Sequence, residues 1–264
     1  MNKSRNVPCV LVFAGLDPSG GAGIQADIQA ISAAGVHALP IVTALTVQNN
    51  QRVMSVHPVD VALMREQCQV LIDQGTRIDA INIGIVGQAD NAEVISDVID
   101  QLRGVNPQLP IVLDPVLASG HGDLLTKGDA VRALAPLLQR TTLITPNLPE
   151  AQQLTGSDDL AAQAAHLLQD APHVFIKGGH GASDAVINTW FHHSGKQVWQ
   201  WPRLSGEFHG SGCTLAAAIA AKLAQRVPME AALESAQRYT QQCLDTAFSI
   251  ADGQLIPNRT KEMS

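Results

Sequence analysis

The feature that most constrains this chain is an alternation. Short apolar runs at Val10 to Ala14, Ile41 to Leu45, Ala80 to Ile85, Ile111 to Leu113, Leu143 to Thr145 and Val174 to Lys177 are separated by amphipathic stretches. Runs of this length between helical patterns are the rhythm of βαβ units around a mostly parallel, doubly covered sheet. Helices are expected over Ala22 to Ala34, Val59 to Gln74, Asn91 to Arg103 and Lys127 to Leu138, each bounded by glycine, proline or a capping side chain. From Ala185 to Arg203 the pattern changes to two extended runs, Val186 to His192 and Gln197 to Trp201, joined by Ser194-Gly195-Lys196. That reads as an antiparallel edge hairpin. Beyond Gly210, helices are expected over Leu215 to Ala224 and from Met229 to Phe248, with Pro228 opening the second.

Composition narrows the class. The 264 residues suit one α/β domain over 1–264, and no linker, repeat or low-complexity tract divides them. Apolar residues make up 45% but aromatics only 3%, which favours helices packed closely on a buried sheet over a β-sandwich. The formal charge of −7 is spread along the chain without a basic stripe, so nucleic acid and anionic membranes are not expected partners. Met1 to Pro8 is polar, the run after it is only strand-length, and no stretch approaches 18 apolar residues, so a cytoplasmic location is expected. Cys9, Cys68, Cys213 and Cys243 lack CxxC spacing, which disfavours zinc and a disulfide framework.

Three glycine-rich segments fall where strands give way to helices, the position at which open parallel sheets bind ligands. The first runs from Gly15 to Gly23 and continues to Asp27. Gly21 to Ala26 fits a dinucleotide fingerprint on paper, but a loop intervenes after the strand, no acid follows about 20 residues on, and no Lys-Ser/Thr closes a Walker loop. Glycines serving only a tight turn are the alternative. The second segment is Glu207 to Thr214, running into a helix. Successive backbone amides of this segment at the helix start would form an anion site, the glycines letting a phosphate approach without a Cβ in the way. Cys213 would sit at the positive end of the dipole, where thiolate character is favoured and a base beside a transferring phosphoryl group is conceivable; a small buried hydrophobe is the bland alternative.

The third segment is Lys177-Gly-Gly-His-Gly181, where a lysine at a strand end would face phosphates, or simply be solvated before a turn. Asp114-Pro115 and Thr145 to Glu150 add acidic and amide groups at strand ends, suited to Mg²⁺ through water, or Asn147 and Pro149 simply start the helix that contains Glu150.

As a set, Gly15 to Asp27, Thr43 to Asn49, Asp114-Pro-Val116, Thr145 to Ala151, Lys177 to His180 and His209 to Thr214 resemble the hydroxymethylpyrimidine/phosphomethylpyrimidine kinases of the ribokinase-like superfamily, in order and over nearly the whole chain. The resemblance implies a three-layer α/β/α fold with a mostly parallel sheet, ATP and Mg²⁺, and a pyrimidine substrate of thiamin diphosphate synthesis. It implies Cys213 as catalytic base, where most ribokinase relatives have aspartate, and the Gly210 to Cys213 amides as anion hole. Gly15, Asp27, Gln48 and Val116 would lie around the pyrimidine, with Gln48 on its amino edge. Lys177 would contact ATP phosphates, while Asn147, Glu150 and Asp114 would hold Mg²⁺ through water.

This chain departs from the family pattern at Ile85, where methionine is usual, at Gln29-Ala30, where lysine-threonine is common, and in Val116 to Asp123, which lacks a lysine or threonine before Ser-Gly. The last difference bears on contacts to a substrate phosphate. Alternatives are a pyridoxine or pyridoxal kinase of the same superfamily, or a non-catalytic vitamin or nucleotide sensor. Dual-cysteine members of the first group carry a second cysteine in a lid near the fifth strand, and none lies between Cys68 and Cys213 here. A zinc site on His192-His193 is disfavoured because the two should face opposite ways. Trp190, Trp199 and Trp201 on the hairpin suggest either a homodimer contact or a small satellite core.

Overall fold

The computed structural model describes residues 7–118, 122, 123, 125, 126, 128–181 and 184–263. Its strands are β1 (Cys9–Leu16), β2 (His37–Gln48), β3 (Val53–Pro58), β4 (Ala80–Ile83), β5 (Ile111–Leu113), β6 (Leu143–Ile144), β7 (His173–Ile176), β8 (Ala185–His192) and β9 (Gly195–Pro202). They form one sheet in the order β3-β2-β1-β4-β5-β6-β7-β8-β9. Every pairing from β2 through β1 to β7 is parallel, while β3, β8 and β9 pair antiparallel.

The helices are α1 (Gly23–Ala33), α2 (Val61–Asp73), α3 (Ala89–Val105), α4 (Ala130–Leu138), α5 (Leu148–Thr155), α6 (Leu160–Leu167), α7 (Ser211–Ala224) and α8 (Met229–Asp245). β1 shows how the layers arise. Val10, Val12 and Ala14 pack with α1, α7 and α8, whereas Leu11 and Phe13 pack with residues of α2 to α6. Successive strand side chains face opposite ways, so a continuous apolar run feeds both cores. In α7, every residue from Thr214 to Ala221 is buried, and its alanines let it lie close against the sheet.

The expected α/β/α architecture is observed, with two adjustments. β3 had no counterpart among the expected strands, and it makes the second sheet edge antiparallel as well. The β8–β9 turn is His193-Ser194, one step earlier than Ser194-Gly195-Lys196, because Gly195 already pairs with His192. Lys127 and part of the Val116 to Asp123 segment (Ser119, Gly120 and His121) lie outside the described residues.

The hairpin tryptophans do not form an exposed aromatic patch. Trp190 is 7% exposed and stacks on half-buried His192 at 4.2 Å, Trp199 packs on the core beside Phe175, and Trp201 Nε1 donates to Gln237 Oε1 at 2.9 Å. The satellite-core reading is the one the packing supports.

Candidate active site

The glycine loops meet because backbone must approach backbone. The first winds around Asp17, whose carboxylate accepts from Ser19 N and Oγ (2.8 and 2.9 Å) and from Ala22 N (2.9 Å). His209 of the second loop adds its Nε2 to the same carboxylate at 2.8 Å. Burial pushes the Asp17 carboxyl up, but the His209, Ser19 and Ala22 contacts more than reverse this and leave it at about 2. Gly210, with φ +80°, turns the chain into α7, and a Cβ there would collide with the Gly21 carbonyl. Only glycine combines that left-handed conformation with that approach. A Cβ on Gly23, with φ +59°, would likewise collide with the Gly15 carbonyl.

Lys177 extends from the end of β7 and places Nζ 2.6 Å from Asp114 Oδ1 and 3.9 Å from Glu150 Oε2. A Cβ on Gly212 would lie 3.2 Å from that Nζ and 3.3 Å from Asp114 Oδ2, so the ion pair sits against the first turn of α7. Burial lowers the Lys177 pKa, and the charges of Asp114 and Glu150 outweigh it, so the ammonium is held. Glu150 and Asn147 form a capping box on α5, Glu150 Oε2 accepting from Asn147 N at 2.7 Å and Asn147 Oδ1 from Glu150 N at 2.8 Å. The helix-start alternative is therefore realised, yet both residues also line the cleft. Burial, with Asp114 adding to it, lifts Glu150 to about 7 against the pull of Lys177.

These elements enclose a cleft of about 560 Å³. Gly15, Gln48, Val116, Asp114, Asn147, Glu150, Lys177 and the run Gly210 to Cys213 all line it. Asp27 does not. It is 2% exposed and lines a small adjoining cavity with Asn82, Asp114 and Cys213, because α1 turns it behind the thiol. Burial and the nearby Asp114 raise its pKa well above the usual carboxylate range.

The surroundings of Cys213 oppose the thiolate expected at the helix start. Burial first, then Asp27 and Asp114, push the thiol up to about 12, although the Gly23 amide and Arg259 pull the other way. A helix N-terminus carries about half a unit charge, and here it faces two carboxyl groups.

Asp114 and Glu150 set hard oxygen donors beside Lys177, and such donors fit Mg²⁺, which needs few protein ligands and keeps its waters. Among the described residues no group of three or more His, Cys, Asp or Glu is placed to cage a metal directly. The residues present fit the ion.

Sequence reasoning gave no role to Asp17, His209, the Asn188-Gln237-Trp201 hydrogen-bond network beside the cleft, or Arg259. Asp17 and His209 lie within the glycine-rich segments, and a capping carboxylate inside a glycine loop is a usable signal. Arg259 carried none.

Residues 17–258 match the sequence model of a family described as phosphomethylpyrimidine kinase. The chain belongs to that family. It is 36% identical over 255 residues to a hydroxymethylpyrimidine/phosphomethylpyrimidine kinase of Streptomyces coelicolor, covering 93% of this chain and 92% of that protein. It is 35% identical over 255 residues to the thiamine biosynthesis multifunctional protein ThiED of Corynebacterium efficiens; the match covers 93% of this chain and spans 34% of that longer relative. Among solved structures, the pyridoxal kinase from Staphylococcus aureus in complex with AMP-PCP superposes with a TM-score of 0.85 at 27% identity, over 96% of this chain and 94% of that one. The fold of this phosphomethylpyrimidine kinase family member is thus the ribokinase-like one.

Proposed function

We propose that this chain is a cytoplasmic, single-domain kinase that transfers the γ-phosphate of ATP to the hydroxymethyl group of 4-amino-5-hydroxymethyl-2-methylpyrimidine, to the phosphate of its monophosphate, or to both in turn. The observation that carries the reading is the convergence of an amide-rich helix start, Lys177, two carboxylates and the Cys213 thiol in one cleft of a phosphomethylpyrimidine kinase family member. Among the described residues no helix is long and apolar enough to cross a membrane.

In this reading Gln48, Gly15 and Val116 bind the ring and orient the hydroxymethyl oxygen toward Pγ. That oxygen attacks, the bond from Pγ to the bridging oxygen breaks, and ADP leaves. The Gly210 to Cys213 amides and Lys177 bear the charge on the transferring group, and the hydroxyl proton passes to Cys213 once its thiol has released its own proton to solvent, since only the thiolate can accept one. Such transfer relies on positioning and charge neutralisation, so amides, a lysine and one proton acceptor suffice from the chain itself. Mg²⁺, held through water by Asp114, Asn147 and Glu150, would neutralise phosphate charge when bound. The arm of the cleft between β9 and α8, with Trp201, Leu204, Thr240 and Leu244 on its walls, suits a flat heteroaromatic base.

A homodimer is part of the proposal, on a different basis from the hairpin tryptophans. Leu45, Val47 and Met54 are 49%, 51% and 62% exposed along the β2–β3 edge, and covering them is the simplest reason for that apolar surface. Sedimentation of wild type beside Met54→Lys tests it, a monomer for both speaking against it.

The likeness to pyridoxal kinases supports one second reading, phosphorylation of a B6 vitamer. Mass spectrometry of the product formed from each candidate alcohol decides: a phosphorylated pyrimidine supports the first reading, and a phosphorylated B6 vitamer alone replaces it.

A further inference from the structure

The segment after α8 carries no glycine-rich or acidic motif, yet it returns to the cleft. Phe248 pairs with Ile256, Phe208 pairs with Leu255, and His209 N donates to the Leu255 carbonyl at 2.8 Å. This strap carries Arg259 into the interior, where it is 4% exposed. Its Nη2 donates to the Gly21 carbonyl at 2.6 Å and to the Gly210 carbonyl at 3.3 Å. Its Nε donates to Thr214 Oγ1 at 2.7 Å, and its Nη1 to Gln29 Oε1 at 3.4 Å. None of these acceptors is a carboxylate. Burying a guanidinium against neutral oxygens is costly, so the position of those oxygens is where its role is to be sought.

Two of them belong to the residues at which the glycine loops touch. Gly21 and Gly210 meet backbone to backbone, and Arg259 bonds to both carbonyls from behind. The C=O and N–H of one trans peptide unit point in opposite directions. Turning the Gly210 carbonyl back onto Arg259, and onto Thr214 N and Oγ1 at 3.0 and 2.8 Å, therefore turns the Ser211 N–H toward the cleft that Ser211 lines.

We infer that Arg259 is a positioning residue for phosphoryl transfer: by gripping the Gly21 and Gly210 carbonyls it locks the two glycine loops together and aims the Ser211 amide at the group being transferred. This rests on the kinase reading above. It explains why a residue 238 positions from Gly21 is threaded between two loops that already touch. The guanidinium charge also opposes the field of Asp27 and Asp114 on the Cys213 thiol.

The test compares Arg259→Met, Arg259→Lys and Tyr239→Phe with wild type, each assayed well below its melting temperature. Tyr239→Phe is the structural control, since it removes the bond from Tyr239 Oη to the Arg259 carbonyl on the strap, together with its contact to the Cys243 thiol, and leaves the guanidinium and its acceptors in place. Arg259→Met is expected to lower kcat about 10²-fold while KM for ATP and for the pyrimidine moves less than about threefold, with Arg259→Lys recovering about tenfold of the loss. Tyr239→Phe should lower the melting temperature and keep kcat within about twofold. Hydrogen exchange should quicken in Arg259→Met over both 15–25 and 207–216. Wild-type kcat in Arg259→Met, equal effects in the Tyr239→Phe control, or unchanged exchange in the loops would each overturn the inference. If wild type phosphorylates no pyrimidine, the kinase reading fails by itself, and the exchange measurement still decides whether Arg259 holds the loops.

Discussion

Lys177 Nζ and Asp114 Oδ1 meet at 2.6 Å, one side chain arriving from the end of β7 and the other from the end of β5, across the intervening β6. The parallel order of these strands brings residues 63 positions apart to the same edge, beneath the first turn of α7. This pair fixes both the charge and the floor of the cleft.

Lys177→Met leaves the buried Asp114 and Glu150 without their ammonium partner, and breaking such a buried pair destabilises by roughly 3 kcal/mol. A melting temperature lower by about 6 to 10 °C is expected. Turnover should fall by about 10² or more, because a charge aimed at the transferring group is lost. The double variant Lys177→Met/Asp114→Leu should regain stability but not turnover. Recovery of both would remove Lys177 from phosphate contact.

Asp17 sets an acid limb of stability. Its folded pKa of about 2 lies below the ordinary value of 3.8, so the folded state holds the charged form more strongly. The stabilisation is complete above pH 4 and is lost as pH falls toward 2; a shift of this size corresponds to about 2 kcal/mol. Denaturation midpoints measured from pH 6 to pH 2 should fall steeply in wild type and more shallowly in Asp17→Asn. Parallel curves would show that Asp17 is not the linked group.

With its thiol pushed up to about 12, Cys213 should alkylate slowly near pH 7.5 and faster only as pH rises well past 9, since the thiolate is the reactive form. Iodoacetamide labelling followed by peptide mass spectrometry reads this directly. A labelling midpoint below pH 8 would restore the thiolate that the helix start alone suggests.

Gln48→Ala should weaken pyrimidine binding by about 1 to 3 kcal/mol, the cost of leaving a polar ring edge unpaired, and leave ATP binding unchanged. Calorimetric titration with each ligand separates the two. Equal weakening of both would point to altered folding of the β2 end.

Much of this site was legible in the sequence because it is built from local signals: glycines at strand-to-helix transitions, a helix start at Asn147 and a lysine ending a strand. What was not legible depends on long-range geometry. The dipole argument for Cys213 was sound for α7 alone and was outweighed first by burial and then by Asp27 and Asp114, which the packing of α1 and β5 brings alongside. Asp27 sits at a helical position whose facing decides between cleft and interior. β3 is short and partly polar, and its place at an edge comes from pairing with β2. Arg259 lies in a segment with no periodicity, and only the fold of the strap shows that it reaches Gly21.

The central claim is tested most directly by following ATP consumption with Mg²⁺ and hydroxymethylpyrimidine, its monophosphate, pyridoxine and pyridoxal, using wild type and Cys213→Ala. The account expects turnover of a pyrimidine by wild type, reduced about 10² to 10⁴-fold in Cys213→Ala with ATP affinity little changed. Turnover of B6 vitamers alone, of no substrate, or of a pyrimidine at the same rate in both proteins would contradict it.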